Sequence, residues 1–224
     1  MMSARPRQLA LALDHTESFA REDFLSGSSN AVALALIDAW PDWSHRMVML
    51  TGPEGSGKSH LAAVWAQAAG ARFLAARALE EANVPSALAT GALVVEDIAA
   101  GAFDERVLFH LLNLAREQGA FVLLTARSAP ATFAIRDLAS RLKALPVVAI
   151  MPPDDALLRA VLVKLFADRQ LAVDEGLIGY VATRIERSFA AARAVVARLD
   201  QEAMRLKRPL TRAFAAEVLR ASEP

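Results

Sequence analysis

A three-layer α/β/α sandwich around a parallel five-stranded sheet, followed by a small all-α unit, is the fold that this sequence predicts. Three observations carry it. From residue 29 to residue 150, short apolar runs of strand length alternate with helix-length amphipathic segments. Between one such run and the helix after it stands the glycine-rich stretch Gly52-Pro53-Glu54-Gly55-Ser56-Gly57-Lys58-Ser59. After Met151-Pro152-Pro153 no strand-like run follows, and everything reads as helix.

In chain order the pattern predicts a helix over 29–40, a strand over 47–51, a helix over 58–69, a strand over 72–75, a short helix near 77–82 and a strand over 91–96. Asp104 to Glu117 is amphipathic, with Val107, Leu108, Leu111, Leu112 and Ala115 on one face. The strand Ala120 to Thr125, a helix over 135–144 and a last strand from Pro146 to Ile150 complete the sheet. The two prolines then break the pattern, and Asp154 and Asp155 can cap a new helix. Helices over 154–169, 174–184, 188–206 and 211–221 make a small bundle, with Phe189, Val196, Leu199, Ala203 and Leu206 facing inward on the third. The division is therefore a flexible tail over 1–16, an α/β subdomain over 17–151 and a helical subdomain over 152–224.

The glycine-rich stretch fits G-x-x-x-x-G-K-[ST] and follows the buried run Met47-Val48-Met49-Leu50, so strand, loop and helix come in the order that a phosphate-binding P-loop requires. Glycines at 52, 55 and 57 let successive N–H groups turn inward toward a polyphosphate at the N-terminus of the next helix. Lys58 then reaches the terminal phosphates, and the Ser59 hydroxyl is a hard oxygen ligand for Mg²⁺. His60, next in the chain, is counted with Gly52 to Ser59 as nucleotide-binding. An ordinary glycine turn is the plainer alternative, and the flanking strand and helix argue against it. About forty residues on, Ala92-Leu93-Val94-Val95-Glu96-Asp97 is a strand covered on both faces whose tip carries two carboxylates, the Walker B pattern. Glu96 is read as a second metal ligand and Asp97 as catalytic.

Among the 224 residues, 54% are hydrophobic, yet no run approaches the roughly 20 apolar residues that span a bilayer. No export signal is read at the N-terminus, and a cytoplasmic protein without membrane contact is expected. Without cysteine there is no disulfide and no thiolate chemistry. Lys+Arg and Asp+Glu are 25 each, so no global field draws the chain to nucleic acid. The cluster Arg205, Lys207, Arg208 and Arg212 reads as the solvated end of a helix and its turn. The histidines at 15, 45, 60 and 110 lack metal-ligand spacing.

An α/β P-loop core followed by a helical lid is the AAA+ arrangement, and over residues 17 to 221 the chain resembles the Hda (HdaA) family of regulators related to the replication initiator DnaA. Phe24-Leu25-Ser26-Gly27-Ser28-Ser29-Asn30, the two Walker motifs, Asp137-Leu138-Ala139-Ser140-Arg141, Pro152-Pro153-Asp154 and Glu186-Arg187 carry that resemblance. It implies that Arg141 is an arginine finger acting in trans, that Arg187 is the lid's sensor arginine, and that Phe24, Leu25 and Asn30 line or support the base pocket. It also implies bound ADP or ATP with Mg²⁺. Gln8-Leu9-Ala10-Leu11-Ala12-Leu13 is similar to the Q-L-x-L-x-L peptide that docks on the sliding clamp, the beta subunit of DNA polymerase III, with Gln8 as polar anchor and Leu9, Leu11 and Leu13 as apolar plugs.

DnaA carries a helix-turn-helix domain after its lid, and the sequence stopping at Pro224 favours the regulator over the initiator. Two departures point away from efficient turnover by this chain: Glu96 stands where most of the family has aspartate, and Ala126-Arg127 stand at the sensor position. The expectation is a nucleotide-bound AAA+ regulator with weak intrinsic ATPase, a possible homo-oligomer that meets DNA only indirectly through the clamp. It would stimulate hydrolysis of DnaA-bound ATP and so limit replication initiation. An autonomous ATPase such as a helicase loader, or a nucleotide-sensing adaptor for another partner, are the alternatives.

Overall fold

The computed structural model describes residues 19–129 and 133–220. Its elements are α1 (Ala31–Asp38), β1 (Met47–Thr51), α2 (Lys58–Ala69), β2 (Arg72–Ala75), α3 (Val84–Ala87), β3 (Ala92–Glu96), α4 (Glu105–Gln118), β4 (Phe121–Ala126), α5 (Arg136–Lys143), β5 (Val147–Ala149), α6 (Asp155–Asp168), α7 (Glu175–Ala182), α8 (Phe189–Leu206) and α9 (Arg212–Arg220). The five strands form one sheet in the order β2-β3-β4-β1-β5, every pair parallel. Parallel neighbours need crossover connections, and the helices that make them cover both faces.

Alternation along the strands sorts the core into two layers. Met49, Leu93, Val95, Val122 and Leu124 point to one side and pack with Leu108, Leu111 and Leu112 of α4 and Leu138 and Leu142 of α5. Val48, Leu50, Val94 and Leu123 point to the other and meet Ala33, Leu34 and Ile37 of α1 and Leu61, Val64 and Trp65 of α2. The period-2 geometry of a strand produces this division without further instruction. Helix α4 ends where Gly119 turns left-handed.

The helical unit has its own core, in which Leu158, Leu162 and Phe166 of α6, Leu177 and Val181 of α7, Ala192, Val196 and Leu199 of α8 and Phe214 of α9 interlock. Side-chain caps start its helices: Asp154, Asp174 and Ser188 accept from the N–H groups of Leu157, Leu177 and Ala191. Thr211 Oγ1 accepts from Phe214 N–H before α9, at the turn that the sequence marks.

Three local expectations are corrected. The short helix near 77–82 is instead two 3₁₀ turns, Ala76–Ala78 and Glu81–Asn83, leading into α3; Pro85 sits in the first turn of α3, where a missing N–H costs nothing. Leu206 does not face inward but is exposed at the end of α8. Phe189 is buried, but outside the helical core, because at the very start of α8 it lies over the glycine loop.

Candidate functional site

The C-terminal ends of β1, β3 and β4 lie side by side, and the loop Gly52–Gly57 leaves β1 there to enter α2. Its shape depends on missing side chains. A Cβ at Gly52 would stand 2.5 Å from the carbonyl oxygen of Ile150. Gly55 has φ +71°, and a Cβ there would meet the Cβ of Ala190 at 2.7 Å. Gly57 turns left-handed and caps α2, so the first N–H groups of that helix open onto the loop.

Lys58 is buried at the start of α2, and its ammonium donates to the carbonyls of Gly52 and Pro53, both at 2.8 Å. Burial pulls its pKa below the usual lysine value; the carboxylates of Asp97, Glu54 and Glu96 oppose that shift and the Arg127 guanidinium reinforces it. Glu54, exposed at the loop's tip, pairs with Arg127 at the end of β4 at 2.6 Å. Pro53 is exposed, Ser56 is buried with its hydroxyl unpartnered, and Ser59 is exposed on the first turn of α2.

At the tip of β3 the half-buried Glu96 keeps one carboxylate oxygen away from solvent with no hydrogen-bond partner. Asp97 follows in the left-handed region at φ +60°, uncommon for a residue with a side chain, and its N–H donates to Thr125 Oγ1 at 3.1 Å. Sequence pattern marks both acids, but not this strained turn. Among the described residues no cluster of three or more His, Asp or Glu could hold a metal alone. The orphaned Glu96 oxygen and the Ser59 hydroxyl fit a Mg²⁺ ion that takes its remaining ligands from phosphate and water.

Beside Gly57 the loop borders a cavity of about 320 Å³. Phe24 and Leu25 line it together with His60, whose ring stands edge-on to Phe19 and Phe24 and whose Nε2 lies 3.1 Å from the Ala20 carbonyl oxygen. Asn30 does not line it. It is buried beneath, accepting from Gly27 N–H and donating to the Leu25 carbonyl, and so shapes the 25–27 turn. Helices α6 and α8 close the far wall with Lys164, Phe189 and Arg193. Lys164 bridges Asp23 and Asp168, at 2.8 Å each, tying α6 to the segment before α1.

The helical unit also touches the loop directly: Phe189 N–H donates to the Gly55 carbonyl at 2.9 Å, and the Phe189 ring lies against Gly57. Arg187 is not part of this wall. It pairs with Asp155 on α6 at 2.8 Å, both side chains largely exposed, while Arg193, one turn into α8, faces the cavity. Sequence reading missed Phe189 and Arg193 here: the i, i+7 spacing puts Phe189 on the same helix face as Val196, and only its place in the first turn of α8, over the glycine loop, takes it and Arg193 to the cavity instead of the helical core.

Arg141 lies on α5, away from this cavity. Its guanidinium donates to Asn113 Oδ1 and stands over the Phe109 ring, 5.0 Å from its centre, both on α4. No carboxylate pairs with it among the described residues, so its charge is oriented but not neutralised. Gln8, Leu9, Leu11 and Leu13 lie outside the described residues. Among the described residues no helix is long and apolar enough to cross a membrane.

No family model matches the chain. Nor does any curated protein match it. Solved structures do. Domain III of the replication initiation protein DnaA from Thermotoga maritima superposes with a TM-score of 0.75 at 18% identity, over 91% of this chain and 96% of that one. Replication initiator DnaA bound to AMPPCP and single-stranded DNA gives 0.66 at 17%, over 84% and 68%. The Thermotoga maritima RuvB Holliday junction branch migration motor gives 0.67 at 15%, over 87% and 69%. At these identities the likeness establishes the fold alone: an α/β sandwich with a parallel five-stranded sheet, followed by a helical unit.

Proposed function

We propose that this chain holds ADP or ATP with Mg²⁺ between the Gly52–Ser59 loop and the lid, and acts as an Hda-type regulator that stimulates hydrolysis of DnaA-bound ATP on the DNA-loaded sliding clamp. The observation that carries the nucleotide reading is the junction of loop and lid: the wall formed by Phe24, Leu25, His60 and Phe189 borders the same Gly57 that opens α2. An aromatic-lined cavity of base size next to a phosphate-shaped loop suits a nucleoside polyphosphate. The bound nucleotide supplies the negative charge and metal-bridging oxygens of the site. Lys58 has only to leave the Gly52 and Pro53 carbonyls to meet that charge, and Ser59 and Glu96 are the residues to hold the ion. Because Phe189 touches both loop and cavity, ligand state is coupled to lid position.

Arg141 supports the regulatory part of the reading. Asn113 and Phe109 hold a guanidinium whose positive charge no carboxylate offsets among the described residues, which is what charge stabilisation in another subunit's reaction requires. Binding to the clamp rests on the resemblance of Gln8 to Leu13 to a docking peptide. The experiment measures hydrolysis of DnaA-bound ATP with clamp and DNA present. Arg141→Ala is expected to lose stimulation by about 10³-fold or more while still being retained by the clamp; full stimulation by that variant refutes the role.

The acid pair favours a second reading, an autonomous ATPase. Thr125 steadies Asp97 in its strained turn beside Glu96, an arrangement that would let Asp97 orient an attacking water. It predicts substantial turnover by the isolated chain, lost in Asp97→Asn; turnover near background with tight nucleotide binding returns the balance to the regulator.

A further inference from the structure

On the lid, remote from the nucleotide cavity in sequence and lining, α7 and α9 border an open cleft of about 700 Å³ lined by Tyr180, Arg184, Arg212, Ala213, Ala216 and Arg220. Three of the six side chains are guanidinium groups and none is acidic. The basic residues nearby in sequence behave differently: Arg205 pairs with Glu202 at 2.7 Å and Arg208 with Glu217 at 2.8 Å, the solvated ion pairs expected of a helix end. Arg212, grouped with them by sequence, instead joins the cleft.

Each cleft arginine is held by uncharged partners. The Arg184 guanidinium lies 3.7 Å from the centre of the Tyr180 ring and donates to the Tyr180 carbonyl and to Thr183 Oγ1. Arg212 approaches the same ring at 5.5 Å. Arg220 Nε donates to the Ala216 carbonyl at 3.2 Å. No carboxylate pairs with any of the three among the described residues. Oriented guanidinium forks without counter-charge suit phosphate oxygens, which they bind in a planar, bidentate manner. Ala213 and Ala216 leave the floor low, so that a backbone can approach.

We propose that this cleft is a contact site for the phosphodiester backbone of nucleic acid, bound without regard to sequence. A protein partner is the less favoured occupant, because protein interfaces centre on desolvated aromatic or aliphatic anchors, and the tyrosine here is occupied by Arg184. Nucleic-acid interfaces are polar and rich in arginine. The proposal is independent of the nucleotide and clamp readings. It revises the expectation that DNA is met only through the clamp: the chain touches it weakly and directly.

The test is a fluorescence-anisotropy titration of labelled duplex and single-stranded oligonucleotides with the full chain, without clamp or nucleotide, between about 50 and about 200 mM salt. Arg184→Ala/Arg212→Ala/Arg220→Ala is expected to bind at least tenfold more weakly at the low end. Its log–log salt slope should be shallower by about 2.7 for duplex and about 2 for single strands, three phosphate contacts in each case. The glutamine triple variant Arg184→Gln/Arg212→Gln/Arg220→Gln, which removes the charge but keeps a polar side chain, should lose the same slope and decides the matter should the alanine variant unfold. Arg205→Ala/Arg208→Ala leaves the slope unchanged. An alanine variant that folds and binds with the wild-type slope overturns the proposal. So does wild-type protein that binds poly-glutamate but neither oligonucleotide, which would make the cleft a docking face for acidic protein.

Discussion

At the loop end of the cleft, the groups that define the site lie within Gly52–Ser59, and their positions follow from backbone geometry: Gly55 and Gly57 at positive φ, and a Cβ-free approach to Ile150 and Ala190. At the aromatic cavity, Phe19, Phe24, His60, Lys164 and Phe189 come from both subdomains and meet only when the helical unit packs on the sandwich. At the loop end, a side chain at Gly52 or Gly55 would collide with Ile150 or Ala190, so those two positions are the ones that residue type restricts most. The cavity, by contrast, is built from residues far apart in sequence and needs the whole fold. A contiguous motif is set by its own residues, whereas a pocket assembled across subdomains depends on how they pack.

Of the two ends, removing the loop's charge gives the larger expected effect. Lys58→Ala should weaken ADP and tripolyphosphate alike, by about 10- to 100-fold, the loss of hydrogen bonds from a charged donor, as read by calorimetry. If ADP binds this variant normally, the phosphates do not sit at the loop and the contrast between the two ends collapses. Phe189→Ala tests the other end. It should weaken ADP by about tenfold through lost aromatic packing and leave tripolyphosphate unchanged. Equal weakening of both would mean that Phe189 serves the loop rather than the base.

The smallest effect concerns the joint between the subdomains. Asp154 accepts from Leu157 N–H and from Ser28 Oγ, and these bonds, the backbone one foremost, hold its carboxyl below the usual carboxylate range. A carboxyl with a depressed pKa in the folded state stabilises above its unfolded value, and the contribution is lost as pH falls through the folded one. Between those two values wild-type protein should therefore lose thermal stability as acid is added. Asp154→Asn should start less stable and show a flatter profile there. Identical acid profiles would remove Asp154 from the account of lid attachment.

Much of the sandwich was legible because its signals are local. Apolar runs of strand length marked β1, β3 and β4, and the amphipathic face of Asp104 to Glu117 marked α4. The 77–82 segment was misread because alanine-rich composition favours helix, while the two 3₁₀ turns there follow from the packing of Ala76 and Leu79 into the core. Within the site, Gly52 to Ser59, Glu96 and Asp97 were legible from spacing. Phe24 and Leu25 reached the cavity, but Asn30 supports it from beneath. Arg187 went to Asp155, and Arg193 faced the cavity, because a helix's rotation about its axis is decided by what it packs against.

Residue order alone determined the layering of the α/β core, the phosphate-shaped loop and the acid pair at the tip of β3, since each depends on neighbours within a few positions and on steric rules for glycine and strand pleat. Folding in three dimensions decided which aromatic rings enclose the cavity, how Lys58 and Glu54 are partnered, and which arginines stand without carboxylates among the described residues. Those outcomes depend on distances between residues far apart in the chain, and such distances exist only once hydrophobic burial has docked the lid onto the sandwich.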